Sequence, residues 1–168
     1  MSKYDHAKFL IERFDHYYDS VNNKGAFYIA LNTFIFGGLC VGYFTLDKDI
    51  DVNAVIWVLL SILLTSNLIS TVFTVLATMP FLKDNDEYKQ KPSLTFFGGI
   101  ARHQVAHFKE KLLASDDTAL LDDAIQQAYS LAVGLDGKYK KLGWASYLLV
   151  IQFITMIPLI LIVAKNLK

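Results

Sequence analysis

The 168-residue chain carries 16 basic and 16 acidic side chains, a formal net charge of zero, and 54% hydrophobic residues. A balanced charge excludes a nucleic-acid binder built on a basic surface. Mean hydropathy is +0.34, and the charged residues cluster outside three uncharged stretches, 25–46, 52–82 and 142–164. Each reaches the roughly 20 apolar residues that a spanning helix needs, so too little chain remains for a conventional enzyme domain. The single cysteine, Cys40, lies inside the first stretch, which excludes an intramolecular disulfide and suits apolar packing.

Residues 1–24 read as an amphipathic helix. Leu10, Phe14, Tyr17 and Val21 share one face, while Lys8, Glu12, Asp15 and Asp19 occupy the others. No proline intervenes before Lys24, so the helix is expected to continue into span 25–46, a retained anchor with no A-x-A-like cleavage site behind it. Tyr17, Tyr18 and Tyr28 suit the headgroup boundary. Asn32 is the one amide of this span, and Gly37, Gly38 and Gly42 allow close helix approach. The acidic loop Asp47–Asp51 closes a hairpin with span 52–82, which is longer than a bilayer requires. Ser66, Asn67, Ser70, Thr71, Thr74 and Thr78 make one side of it polar. Such a side is expected at a helix–helix contact; the alternative is a wet surface lining a pathway.

The polar block 83–141 opens with a turn-like segment to Pro92. Two helices are expected after it, with stripes Ala101, Val105, Phe108, Leu112 and then Leu121, Ala124, Ala128, Leu131, Leu135. Ser115, Asp116 and Asp117 supply capping residues between them. Region 142–168 is the third span, 142–164, with Gln152 its one amide and Pro158 its one proline, followed by a short tail. The fold class is therefore an all-α membrane protein with three transmembrane helices, an N-terminal amphipathic helix and a helical cytoplasmic insertion between spans two and three. Lysine and arginine crowd the N-terminus and the block 83–141, which places both on the cytoplasmic side.

Chemistry-bearing patterns are sparse. His103, His107 and Glu110 share a helix face, but Gln104 stands where HExxH requires its glutamate, and a polar face explains them better than a metal site. Asp47, Asp49 and Asp51 start like a calcium loop, but Val52 stands where glycine is required and Val58 where the bidentate glutamate is required. Asp122 and Asp123 point to adjacent helix faces, as on a hydrated surface. No nucleophile elbow or Walker loop is present, so no catalytic residue, metal site or cofactor is assigned. Phe96, Phe97, Gly98, Gly99 and Arg102 could hold a small anion with an aromatic base. Amides at a helix start and a guanidinium favour a phosphate, and the rings can stack. A hydrophobic plug followed by a turn is the competing account.

Several of these residues resemble a known family. Lys24, Gly25 and Ala26 followed by Asn32 look like the motif that opens the membrane region of Pycsar transmembrane effectors. Leu94 to Ala101 is similar to that family's F-F-G-x-I-A segment, and Gln127, Leu131, Ala132, Lys138 and Tyr139 match the helix before its last span. Asn22, Asn23 and Gly25 depart from it, since the family favours an aspartate and an alanine around the lysine. The resemblance implies a non-enzymatic antiphage effector. A cyclase encoded beside it would make cyclic CMP or cyclic UMP, and the effector would then impair the bacterial inner membrane, causing abortive infection. It further implies a multi-pass inner-membrane location and the lipid bilayer as target. Three helices cannot enclose a pore, so a homo-oligomer is expected; no nucleic acid polymer is. Two other classes fit the residues alone: a membrane anchor or docking subunit for a soluble partner, and a holin-like channel opened without ligand.

Overall fold

A computed structural model describes residues 2–46, 53–80 and 93–166. The acidic loop, the end of the second uncharged stretch, the turn-like segment up to Pro92 and the last two residues of the tail lie outside the described residues. Those described contain helices and no strand: α1 (Lys3–Leu46), α2 (Ala54–Thr78), a single turn α3 (Phe97–Ile100), α4 (Val105–Ala114) and α5 (Asp117–Asn166).

Three of these helices, α1, α2 and α5, are long and apolar enough to cross a membrane. At 1.5 Å per residue α1 is about 66 Å long and α5 about 75 Å, each well over twice the roughly 30 Å of a hydrocarbon core. As expected, the amphipathic helix runs into the first span without a break. The stripe from Leu121 likewise runs into the third span as one helix, through Gly134, Gly137 and Pro158. Helix starts follow local chemistry. Ser2 Oγ accepts from the Asp5 amide (3.0 Å) while Asp5 Oδ2 accepts from the Ser2 amide (2.9 Å), a reciprocal cap. Asn53 Oδ1 caps α2 through the Ile56 amide at 3.1 Å, and Asp116 Oδ1 caps α5 through the Ala119 amide at 2.8 Å. Helix α2 stops at Thr78, because Pro80 drives Met79 into an extended conformation.

Two expectations need correction. The helix expected through Ala101, Val105, Phe108 and Leu112 is broken. One turn ends at Ile100, His103 is a bend, and α4 begins only at Val105. His103 and His107 therefore do not share a helix, although their rings stack at 5.4 Å. The glycines Gly37, Gly38 and Gly42 are not a close approach either, since a Cβ at any of them would meet no described atom within 4 Å. The close approach is at Gly25, where a Cβ would lie 2.3 Å from Thr78 Cγ2. Gly25→Ala is expected to cost about 1–3 kcal/mol by overpacking. Equal denaturation midpoints for variant and wild type in detergent would rule this contact out as a stability determinant.

The chain divides into two compact units, Met1–Asp19 with Pro80–Gly137, and Ser20–Met79 with Lys138–Lys168. In the first, Ala7, Ala124, Ala128 and Leu135 are buried, in line with the stripe read on α5. Tyr17, expected on the packed face, is exposed and accepts from Arg13 Nε. Tyr18 turns inward instead and donates to the Leu131 carbonyl at 3.0 Å.

The second unit is inverted relative to a water-soluble bundle. Phe34, Val41, Leu68, Ile154 and Leu161 face outward at 63–78% exposure, while Asn32, Ser66, Asn67, Ser70, Thr74 and Gln152 are buried. Apolar side chains outside and satisfied polar groups inside is the arrangement that lipid, not water, stabilises. Toward the Ile56 end the interior turns apolar, where Ile56, Leu63 and Leu159 are buried with Leu39, Leu60 and Met156 against them.

Candidate functional site

Three amides, one from each long helix, meet in the second unit. Asn67 Nδ2 donates to the Asn32 carbonyl (2.9 Å), to Asn32 Oδ1 (3.3 Å) and to Gln152 Oε1 (3.2 Å). Gln152 Nε2 donates to Asn32 Oδ1 at 3.1 Å, and Asn32 Nδ2 donates to Ser70 Oγ at 3.1 Å. Ser70 Oγ donates to the Ala145 carbonyl at 3.1 Å. Asn32 and Gln152 are 1% and 0% exposed, so each of these groups depends on the others for hydrogen bonds. Thr71, Thr74 and Thr78 return their hydroxyls to the carbonyls one turn earlier on α2. The polar side of α2 is thus a helix–helix contact.

Near the end of α2 the basic residues singled out in the sequence find roles. Lys138 is 4% exposed and its Nζ donates to the Ala77 and Met79 carbonyls, both at 2.6 Å. Carbonyls at a helix C-terminus lack intrahelical partners and carry partial negative charge, so an ammonium there satisfies them and is itself solvated. Lys24 Nζ lies 5.9 Å from the centroid of the Tyr139 ring, within cation–π range. Of the family-motif positions, Lys24, Asn32, Lys138 and Tyr139 therefore all serve contacts of this unit. Gln127 is half-buried on α5 in the other unit.

The segment expected to hold an anion is organised by a residue that sequence reading assigned to a hydrated surface. Asp123 Oδ2 accepts from Ser93 Oγ (3.0 Å), the Leu94 amide (3.0 Å) and Thr95 Oγ1. Ser93 Oγ in turn accepts from the Thr95 and Phe96 amides at 3.1 and 2.9 Å. One carboxylate thus pins the segment that leads into α3. Asp122 does stay on the surface, accepting from Gln126 Nε2 at 2.8 Å. Gly99 is buried so closely that a Cβ would lie 2.5 Å from the Ser93 carbonyl oxygen, and at Gly98 a Cβ would lie 2.6 Å from the Phe96 ring. Phe96 and Phe97 contact each other at 4.6 Å between centroids, and Phe97 is 67% exposed. The amides of Gly99 and Ile100 are already committed to the Phe96 carbonyl, both at 3.0 Å. They are not an open phosphate cradle, so any anion here would rely on exposed Arg102 and the rings.

Sequence reading noted Asn67 and Gln152 without joining them to Asn32. The available signal was an amide deep inside each uncharged stretch, because an unpaired amide in lipid is costly. For Asp123, a neighbouring acid on the same helix masked the signal.

Neither the curated proteins nor the solved structures compared with the chain give a match. The model of the Pycsar effector protein domain, by contrast, matches residues 6–165. Coverage of nearly the whole chain establishes the family, in keeping with three helices long and apolar enough to cross a membrane: the chain belongs to the Pycsar effectors, transmembrane effectors of antiphage defence.

Proposed function

We propose that this effector answers a cyclic pyrimidine mononucleotide, cyclic CMP or cyclic UMP, made by a partner cyclase, and then impairs the inner membrane of the infected cell. The protein acts without catalysis, with its N-terminus and the insertion 83–141 in the cytoplasm and homo-oligomers as the acting species. The observation that carries this reading is the second unit, whose lipid-suited exterior hides polar groups that water can reach only if the helices separate. Helices α1 and α5 each continue without a break from the polar part of the sequence into an apolar span. In this reading a shift at the polar end of either helix is passed along it to the apolar span.

Phe96, Phe97 and Arg102 are the proposed nucleotide contacts, with Gly98 and Gly99 shaping the turn beneath the rings. Reconstituted proteoliposomes loaded with a self-quenched dye are expected to release it when cyclic CMP or cyclic UMP is added, and to hold it otherwise. Phe97→Ala should raise the nucleotide concentration needed by about 5- to 150-fold, since stacking on an aromatic ring is worth roughly 1–3 kcal/mol per base. Retention of dye with every cyclic mononucleotide would rule the reading out.

A further inference from the structure

Helix α4 has no buried residue, and Val105 and Leu113 are 84% and 76% exposed. Val105, Phe108 and Leu112 fall at the i, i+3, i+7 spacing by which an amphipathic helix anchors in a groove. The same unit contains such a groove, about 630 Å³ in volume, between the start of α1 and α5. Leu10, Phe14, Ile125, Ala128, Tyr129 and Ala132 line it, and α4 supplies none of its lining. On α5, Ile125, Tyr129 and Val133 are exposed at four-residue intervals, so an apolar ridge continues along the rim.

Charge matches the two surfaces. Residues 101–114 carry Arg102, Lys109 and Lys111 against Glu110 alone, whereas residues 117–136 carry Asp117, Asp122, Asp123 and Asp136 with no lysine or arginine. Asp123 is committed to the Ser93–Thr95 segment, and the other three are exposed. Opposite charge of this kind orients an apolar contact and rejects wrong registers. Lys3 at one end of the groove is the one charged side chain of its lining among the described residues.

We propose that α4 of one protomer docks in the α1–α5 groove of a second copy of this chain. Because donor and acceptor surfaces differ, every protomer can give one contact and receive another. Such a heterologous contact repeats into a ring or an open array. As the route to a membrane lesion this rests on the function proposed above; as a contact it stands without it.

Full-length protein with Cys40 replaced by alanine provides the test. Two differently tagged populations, one Leu113→Cys and one Tyr129→Cys, are reconstituted together and treated with a short bismaleimide, with and without cyclic CMP and cyclic UMP. A covalent species carrying both tags is expected in at least one condition, at a yield well above that with Phe9→Cys, which is 47% exposed but outside the groove. Absence of that species in all conditions, or equal yield with Phe9→Cys, would overturn the contact. The double variant Val105→Glu/Leu113→Glu alters only exposed side chains and should keep the wild-type melting midpoint while shifting native mass to the monomer. Unchanged native mass would also overturn it. Cross-linking without nucleotide-triggered leakage would sustain the contact and reject the proposed function; leakage without cross-linking would do the reverse.

Discussion

Asn67→Leu is expected to loosen the three-helix unit by about 2–3 kcal/mol. Interhelical hydrogen bonds in lipid average about 0.6 and reach about 1.7 kcal/mol, and this change removes contacts to both Asn32 and Gln152. It also leaves the buried Gln152 Oε1 without its Asn67 donor, at roughly 1–3 kcal/mol for an unsatisfied group. Leucine is close to asparagine in length, so packing loss is a minor part. Reversible denaturation in bicelles would measure the loss, and a midpoint equal to wild type would remove the network from any account of stability. Because the groups act together, Asn67→Leu/Gln152→Leu should cost less than the sum of the two single changes. Either single change already loses the Asn67–Gln152 bond, and the double change also removes the Gln152 Oε1 that Asn67→Leu strands.

Asp123→Ala should release the segment that carries Phe96 and Phe97 while sparing the membrane-spanning helices. Three donors converge on Asp123 Oδ2, one of them the hydroxyl of Ser93, which is 4% exposed. Losing a charged acceptor of this kind costs roughly 1.5–3 kcal/mol for each hydrogen bond that cannot be replaced by water. Amide hydrogen exchange across residues 93–100 is expected to accelerate strongly, with exchange in α2 unchanged. Protection equal to wild type in that segment would show that Gly99 packing against Ser93 holds it alone. Asp123→Asn should fall between the two, retaining an acceptor but not its charge.

Much of the architecture was legible because lipid is an unforgiving solvent. Charges are excluded from a hydrocarbon core, so the three uncharged stretches could be read directly, and the continuity of α1 follows from the lack of a proline before Lys24. The Leu121–Leu135 stripe was legible for the usual reason, a 3.6-residue period over several turns. The same period misled at Ala101–Leu112, where the spacing is helical but the chain bends at His103 and the supposed inner face is exposed. Periodicity reports that side chains align on one side of a helix, and is silent on whether anything covers them.

Sequence alone determined which segments enter the bilayer and where polar residues interrupt them, since both depend on the transfer cost of each side chain taken singly. Tertiary structure decided which polar groups satisfy one another. Asn32 reaches Ser70 and Gln152, Lys138 reaches the end of α2, and Asp123 reaches back to Ser93. A hydrogen bond between residues far apart in the chain depends on how helices rotate and stagger against each other, and that emerges only from packing all their side chains at once.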